Sequence, residues 1–359
     1  MVTEEMIRRL PKVELHDHLD GGLRPATIVE LARKGRLELP AWEPEELAAW
    51  FHRGADRKSL SLYLEGFRAT LAVMQSPEAL ERVAFEALED RAEDGIVYVE
   101  LRFAPMLCTA GGLTLESVVR SVLFGLEQGR RKTGVEYGLI LCGMRDQTVS
   151  LETAELAVSF REKGVVGFDL AGDEYGHPPK KHLDAFEYIR RMNFNITIHA
   201  GEAFGMESIW QAIQYCGAHR IGHATRLRED MAIHGTRIEK MGSLAHFIRD
   251  KRIPLEMCLS SNVHTGAAAS LDDHPFPVYY RNNFRVILGT DNRLMSNTTL
   301  SKEMHLAVTH YNLTLDDLEK ITLNAMKSSF LHHDDRIRLI YDVLKPRFAQ
   351  MRAEIISHG

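Results

Sequence analysis

The sequence of 359 residues predicts an α/β fold, a closed (β/α)₈ barrel with a helical insertion after its first strand and extra helices at its C-terminus. Eight short β-rich runs alternate with long amphipathic segments, which is typical of right-handed βαβ units around a parallel sheet. No GxGxxG motif follows any of these runs, and this absence disfavours an open doubly wound sheet.

The predicted strands are short, apolar and rich in β-branched residues. In chain order they are VELH (13–16), IVYVELRF (96–103), YGLILCG (137–143), VVGFDLA (165–171), NITIHA (195–200), HRIGHA (219–224), IPLEMCL (253–259) and FRVILGT (284–290). Amphipathic segments at 77–95 and 115–134 predict helices between strands. Ser76 suits the N-cap of the first of these helices, and Pro77 suits its first turn.

The segment from Leu23 to Gln75 is too long for a simple βα loop and contains helical patterns. We expect it to lie over one end of the barrel, as a lid does. After Asp291 the chain continues into predicted helices at 314–330 and 335–357. No linker, repeat or low-complexity tract interrupts the sequence, so residues 1–359 are interpreted as a single domain.

Composition and charge exclude several classes of protein. The net charge of −6, with both signs mixed along the chain, disfavours nucleic acid as a partner. No apolar run reaches the roughly 18 residues of a membrane span. The four cysteines are widely spaced and the first residues lack an apolar signal segment, so we expect reduced thiols and a cytoplasmic location. No pattern in the sequence indicates an oligomeric state.

Titratable residues cluster where the predicted strands end. In the stretch KVELHDHLDGG, His16 and His18 lie two residues apart and therefore face the same side of a strand. In a barrel the carboxyl ends of all strands meet at one face, where active sites are built. The residues that the predicted strands bring to this face are His16, His18, His199, Glu202, His223 and Asp291.

The motifs HxHLDG, LAGDE, HAGE, GHA, LSSN and TDN occur in this order between about Pro11 and about Glu303. Together they resemble the adenosine deaminase family of the amidohydrolase superfamily. The resemblance implies zinc-dependent hydrolytic deamination of adenosine to inosine and ammonia, with 2′-deoxyadenosine as a further expected substrate. The alternative substrates are other 6-aminopurine derivatives, namely free adenine or a modified adenosine such as aminodeoxyfutalosine. In either case the partner is a small purine compound.

By this resemblance His16, His18, His199 and Asp291 are the metal ligands. Nitrogen and oxygen ligands suit Zn²⁺, which lowers the pKa of a bound water to about 7, although such a site also accepts Co²⁺, Mn²⁺ or Fe²⁺. Some amidohydrolases bridge two metal ions with a modified lysine on the fourth strand. The fourth strand here, VVGFDLAG, has no lysine, so we expect one zinc ion per chain.

The resemblance also assigns the two catalytic residues. His223 would orient the attacking water, take its proton and stabilise the developing oxyanion. Glu202 would protonate N1 of the purine, which requires a raised pKa in a closed, partly apolar site. Loss of the amino group as ammonia would follow.

Three further positions match substrate-binding residues of the family. Asp20 corresponds to the residue near the ribose 5′-hydroxyl, where relatives that act on free adenine tend to carry Glu, and it therefore favours a nucleoside. Gly172 would bring a backbone N–H towards N3 of the ring. Asn292 stands where the better-known pattern has a second Asp. Since N7 is an acceptor, the NH₂ group of Asn292 can donate to it without being protonated first.

Overall fold

The computed structural model describes residues 2–358, and this part of the chain contains ten β-strands. They are β1 (Lys12–His18), β2 (Ile96–Phe103), β3 (Glu136–Met144), β4 (Val165–Ala171), β5 (Thr197–Ala200), β6 (Arg220–His223), β7 (Met231–His234), β8 (Arg237–Met241), β9 (Leu255–Met257) and β10 (Val286–Leu288). All are parallel to their neighbours except β7 and β8, which form an antiparallel hairpin.

The eight parallel strands form a closed ring. Strands β1, β2, β3 and β4 pair in that order, and β5, β6, β9 and β10 pair in that order. Two bridges join these halves, one between Phe168 and Ile196 and one between Asp17 and Asp291. The predicted (β/α)₈ barrel is therefore confirmed, and its closure places the ends of β1 and β10 side by side.

Helices cover the outside of the ring and fill the predicted insertion. In chain order they are α1 (Glu4–Arg9), α2 (Pro25–Gly35), α3 (Pro44–Ala55), α4 (Leu60–Tyr63), α5 (Phe67–Val73), α6 (Pro77–Glu93), α7 (Leu115–Thr133), α8 (Ser150–Ser159), α9 (Leu183–Arg191), α10 (Met206–Gln214), α11 (Ser243–Asp250), α12 (Leu259–His264), α13 (Phe276–Arg281), α14 (Arg293–Ser296), α15 (Leu300–Tyr311), α16 (Leu315–Ser328), α17 (His333–Arg338) and α18 (Lys345–His358). Helices α2 to α5 make up the insertion, and a π-helical segment, Leu339–Leu344, joins α17 to α18.

Local sequence explains where the barrel helices begin and end. The hydroxyl of Ser76 accepts a hydrogen bond from the backbone N–H of Ala79, and Pro77 follows in the first turn of α6, as predicted. Thr114 caps α7 in the same way, and this helix ends at Gly134, whose φ of 77° lies in the left-handed region that glycine tolerates.

Alternation along β1 determines which side chains reach the barrel interior. Val13 and Leu15 pack outwards in a cluster with Met326 and other residues of the C-terminal helices. Residues of opposite parity, among them His16 and His18, therefore point inwards. Every residue of β1 is buried because helices cover its outer face and side chains fill the barrel.

The β7–β8 hairpin is not among the predicted strands, and several strands of the second half are shorter than predicted. Each strand of the hairpin has only four or five residues, and its apolar side chains are only partly buried, so neither strand stands out in the sequence as an apolar run. The predicted strands at 253–259 and 284–290 shorten to three residues each, because the chain turns as soon as it reaches the end of the barrel.

Candidate metal and active site

Side chains from four strand ends converge at the carboxyl face of the barrel, as the sequence predicts. The ring centroid of His16 lies 5.6 Å from that of His18, 4.7 Å from that of His199 and 4.8 Å from that of His223. Oδ1 of Asp291, just after β10, lies 3.2 Å from Nε2 of His16 and 3.3 Å from Nε2 of His18. The structure therefore brings together all of the predicted metal-ligating side chains.

The donor atoms at this centre fit a divalent metal ion. Potential ligand atoms of His16, His199, His223 and Asp291 all lie within 4.8 Å of one another. This group of four contains His223, whereas the predicted ligand set contains His18, whose Nε2 lies 3.0 Å from Nε2 of His199. Among the described residues, Nε2 of His16 has no hydrogen-bond partner although it is buried. Imidazole nitrogens and a carboxylate oxygen crowded in this way are typical ligands of Zn²⁺ and similar cations.

The backbone is strained where it turns these side chains inwards. His223 has a φ of 65°, Ala224 a φ of 54° and Asp291 a φ of 62°, all in the left-handed region that residues other than glycine seldom adopt. Each such residue costs about 1–3 kcal/mol, and residues of this kind cluster at functional sites. The turn ends each strand abruptly and directs its last side chain across the barrel mouth.

Buried carboxylates orient two of the imidazoles from behind. Oε2 of Glu256 lies 2.7 Å from Nδ1 of His16, and Oδ2 of Asp169 lies 3.0 Å from Nδ1 of His199. Arg102 contacts both carboxylates, at 2.9 Å from Glu256 and 3.1 Å from Asp169. A carboxylate accepts, so the Nδ1–H group of each histidine donates to it and each Nε2 is left as a lone-pair donor towards the centre.

Glu202 lies beside this centre with the properties of a protonated acid. Its Oε1 accepts a hydrogen bond from the hydroxyl of Thr265 at 2.9 Å, and its Oε2 lies 3.5 Å from Nε2 of His223. Burial raises the pKa of the Glu202 carboxyl well above its ordinary value, and the charge of Asp291 raises it further. The carboxyl group can therefore hold a proton at neutral pH.

A chain of hydrogen bonds determines which nitrogen of His223 carries its proton. The backbone N–H of Phe276 donates to Nδ1 of His274 at 3.1 Å, so the proton of His274 is on Nε2 and is donated to Oδ1 of Asn262 at 3.1 Å. The NH₂ group of Asn262 then donates to Nδ1 of His223 at 2.9 Å. Burial lowers the pKa of His274 to about 3 and that of His223 well below its ordinary value, so both rings are neutral.

It follows that His223 presents an Nε2–H group to the site. This polarity suits the expected roles in orienting water and stabilising an oxyanion. It does not suit the expected role of taking a proton from water, because a neutral imidazole with its proton on Nε2 has no free lone pair there.

A cavity of about 410 Å³ opens at this centre and accommodates a small organic molecule. Leu60, Tyr63, Leu64, Phe67 and Leu71 of the insertion form much of its apolar wall. The insertion therefore lies over the barrel mouth, where the sequence analysis expects a lid.

The three predicted substrate-binding residues all line this cavity. Asp20 is buried, and among the described residues its Oδ1 has no hydrogen-bond partner; burial raises the pKa of this carboxyl to about 7. Gly172 has a φ of 99°, and its missing side chain leaves space beside Met144. Oδ1 of Asn292 is likewise unpaired, and a Cβ atom at Gly21 would lie only 2.0 Å from it.

Several residues of the site were not identified from the sequence. Among them are Arg102, Asp169, Glu174, Glu256, Asn262 and His274. For three of them a signal was present: Arg102, Asp169 and Glu256 are charged residues inside strands that are largely apolar, and such residues are seldom buried without a partner. Asn262 ends the motif LSSN and Glu174 ends the motif LAGDE, so both lie in motifs that carry the family resemblance, although no role was predicted for either. For His274, which follows α12, no comparable signal exists.

Comparison with known proteins agrees with this geometry. The family described as adenosine deaminase matches residues 11–346. The chain belongs to the adenosine deaminase family. Adenosine deaminase 1 of Streptomyces coelicolor is 52% identical over 98% of this chain and 90% of its own length. Adenosine deaminase of Mycobacterium marinum is 50% identical over 97% of this chain and 98% of its own length.

Solved structures place this member of the adenosine deaminase family among related deaminase barrels. The N6-methyl-AMP deaminase of Arabidopsis thaliana is 29% identical, has a TM-score of 0.80 and covers 96% of this chain and 99% of its own. The adenine deaminase of Arthrobacter aurescens shares the fold, with a TM-score of 0.84 over 95% of this chain and 98% of its own at 24% identity.

Within residues 2–358, none of the helices is both long and apolar enough to cross a membrane.

Proposed function

We propose that this chain, as a single domain of residues 1–359, deaminates adenosine hydrolytically to inosine and ammonia with one bound Zn²⁺ ion. The observation that carries the proposal is the position of the buried Glu202, whose pKa is raised by burial, beside a cluster of four imidazoles and Asp291 at one cavity. Family membership and adenosine deaminase relatives at about 50% identity support the same reaction. We expect 2′-deoxyadenosine to be a substrate as well.

His16, His18, His199 and Asp291 would hold the zinc ion. Their Nε2 and Oδ1 atoms face one another, and the carboxylates of Glu256 and Asp169 hold Nδ1 of His16 and of His199 in the required tautomer. When bound, Zn²⁺ lowers the pKa of a water molecule to about 7 and so supplies hydroxide at neutral pH.

Two side chains of the protein handle protons and charge during the reaction. Glu202 donates its proton to N1 of the purine, which makes C6 electrophilic and retains the charge that develops on the ring. His223 donates its Nε2–H to the attacking oxygen and stabilises the negative charge there. The proton that leaves the water would be taken by the Asp291 carboxylate, whose Oδ2 accepts from the hydroxyl of Ser261 at 2.5 Å. Transfer of this proton to the amino group at C6 would let the group leave as ammonia when the C6–N bond breaks.

The cavity also explains the expected choice of substrate. Asp20 offers an unpaired carboxyl oxygen to a ribose hydroxyl, Asn292 offers its NH₂ group to N7, and the backbone of Gly172 lines the wall near the ring. The apolar wall formed by the insertion excludes water from the reacting atoms once the nucleoside is bound.

An absorbance assay on adenosine, combined with elemental analysis of the purified protein, tests the proposal. We expect turnover with release of ammonia and one zinc ion per chain. The same assay with adenine and aminodeoxyfutalosine measures selectivity: a higher kcat/KM for either of these than for adenosine would contradict the proposed substrate. Hydrolysis of an ester or lactam without any release of ammonia would contradict the reaction itself.

A further inference from the structure

Glu174 lies in the loop after β4, two residues beyond Gly172, and its buried carboxylate faces the turn that follows β5. Four consecutive backbone N–H groups of that turn donate to it. The distances are 2.6 Å from Gly201 to Oε1, and 3.0 Å from Glu202, 2.7 Å from Ala203 and 2.9 Å from Phe204 to Oε2. Successive N–H groups arranged around an anion form a nest, and here the anion is a side chain of the same protein.

The turn itself has few other means of fixing its conformation. Gly201 has a φ of 73° and Gly205 ends the turn, so two of its five residues have no side chain to pack. The start of the turn is held from the other side, because the carbonyl of Gly201 accepts from the hydroxyl of Thr225 at 2.7 Å and from the N–H of Arg226 at 2.9 Å. Beyond Gly201, the contacts with Glu174 hold the backbone of residues 202–204.

We propose that Glu174 is a positioning residue: by accepting the N–H groups of residues 201–204, it fixes the backbone that carries Glu202 and so places the Glu202 carboxyl against the substrate ring. The inference rests on the proposed role of Glu202 as the acid for the purine. Displacing a catalytic group by about 1 Å can cost on the order of 100-fold in rate. The effect is therefore expected on kcat, since the hydrogen bonds of Glu174 are with residues 201–204 and not with Asp20, Asn292 or the proposed metal ligands.

Glu174→Gln separates this role from simple packing. Glutamine keeps the shape of the side chain but has a single acceptor oxygen, and its NH₂ group opposes the N–H donors of the turn. Glu207→Gln is the matched control, because Glu207 lies just beyond the turn on α10 and its carboxylate contacts the side chain of Gln211.

The test is carried out on the zinc-loaded full chain with adenosine. For Glu174→Gln we expect kcat to fall by about 10- to 100-fold, KM to stay within threefold, one zinc ion per chain, and faster hydrogen exchange confined to the amides of 201–204. Glu207→Gln should match the wild type. If kcat of Glu174→Gln stays within threefold of wild type, the proposal is overturned. The proposal is also overturned if Glu174→Gln loses zinc and hydrogen exchange becomes faster throughout the barrel, because Glu174 would then stabilise the whole fold and not the turn.

If Glu174→Gln does not fold, the same measurements on Glu174→Asp test the positioning role. Aspartate keeps both acceptor oxygens but is shorter by one methylene, so it should retain zinc and shift the turn, with a smaller loss in kcat. An unchanged kcat in Glu174→Asp together with faster exchange at 201–204 would overturn the positioning role. Failure of the wild-type chain to deaminate adenosine would instead refute the proposed function, and the exchange measurement does not depend on that activity.

Discussion

The carboxylate of Glu256 lies 2.7 Å from Nδ1 of His16 and links this imidazole to two buried arginines. Arg102 contacts Oε2 of Glu256 at 2.9 Å, and Arg220 contacts Oε1 at 2.6 Å. The proposed zinc ligand is thus the end of a charged network that crosses the barrel interior. In such a network the outer carboxylate both orients the ligand and balances the arginines.

We therefore predict that Glu256→Gln weakens zinc binding by about 10- to 100-fold and lowers the free energy of unfolding by about 3–5 kcal/mol. The amide fits the space but leaves the two guanidinium groups without their shared counter-charge. Zinc affinity is measured by competition with a chelator, and stability by urea unfolding of the metal-free protein. Glu207→Gln is a suitable control. An unchanged zinc affinity in Glu256→Gln would show that Nδ1 of His16 needs no carboxylate partner.

Glu202→Gln should abolish deamination without removing the metal. An amide of the same size cannot deliver a proton to N1, and loss of a general acid typically costs about 10²–10⁴-fold in rate. Zinc content and KM should stay close to the wild-type values, since Glu202 is not among the proposed ligands. Ammonia release and elemental analysis on the same sample check both parts. Activity within tenfold of wild type would mean that another group protonates the ring.

The residues at the strand ends could be predicted from the sequence. A local apolar run marks each strand, and in a barrel the residue that follows the run lies at the mouth. An apolar run followed by His199, His223 or Asp291 is visible without any knowledge of contacts, and the fold brings such ends together. The insertion over the mouth could be predicted for a similar reason, since 23–75 is too long for a loop yet helical in pattern.

The residues that orient these side chains through hydrogen bonds could not be predicted in the same way. Glu256 meets His16 across 240 positions of the chain, and Glu174 meets the turn at 201–204 across 27 to 30 positions. A sequence does not state which distant donor a carboxylate accepts from. The tautomer of His223 depends on three successive hydrogen bonds through His274 and Asn262, none of which a local sequence pattern indicates.

Asn262 offers a direct test of that tautomer. In the zinc-loaded wild type, ¹⁵N spectra of labelled histidine should show a protonated Nε2 and an unprotonated Nδ1 for His223, with the signals assigned by their loss in His223→Gln. In Asn262→Ala the constraint on Nδ1 is removed, so both tautomers become populated. We expect kcat to fall by about tenfold at nearly constant KM, because the affected N–H acts on the attacking oxygen rather than on the bound purine.

The control for this variant is Asn324→Ala on α16, whose NH₂ group contacts the carbonyl of Val286 far from the cavity. It should leave both the ¹⁵N pattern and kcat unchanged. A protonated Nδ1 on His223 in the wild type would instead restore this residue as the base that takes the proton from water.

Gly21→Ala should impair substrate binding through Asn292. A Cβ atom at residue 21 would lie 2.0 Å from Oδ1 and 2.9 Å from Cβ of Asn292, so the amide has to leave its present position in the cavity wall. One lost hydrogen bond to the purine is worth about 0.5–1.5 kcal/mol, and we therefore expect KM for adenosine to rise about 3- to 10-fold while kcat changes less.

Gly54→Ala is the matched control, because nothing lies within 4 Å of a Cβ atom there. Since glycine at position 292 removes all three side-chain atoms that the new Cβ would meet, Gly21→Ala in an Asn292→Gly background should raise KM no further. Additive effects in the double variant would show that Gly21 acts on the site by a route other than Asn292.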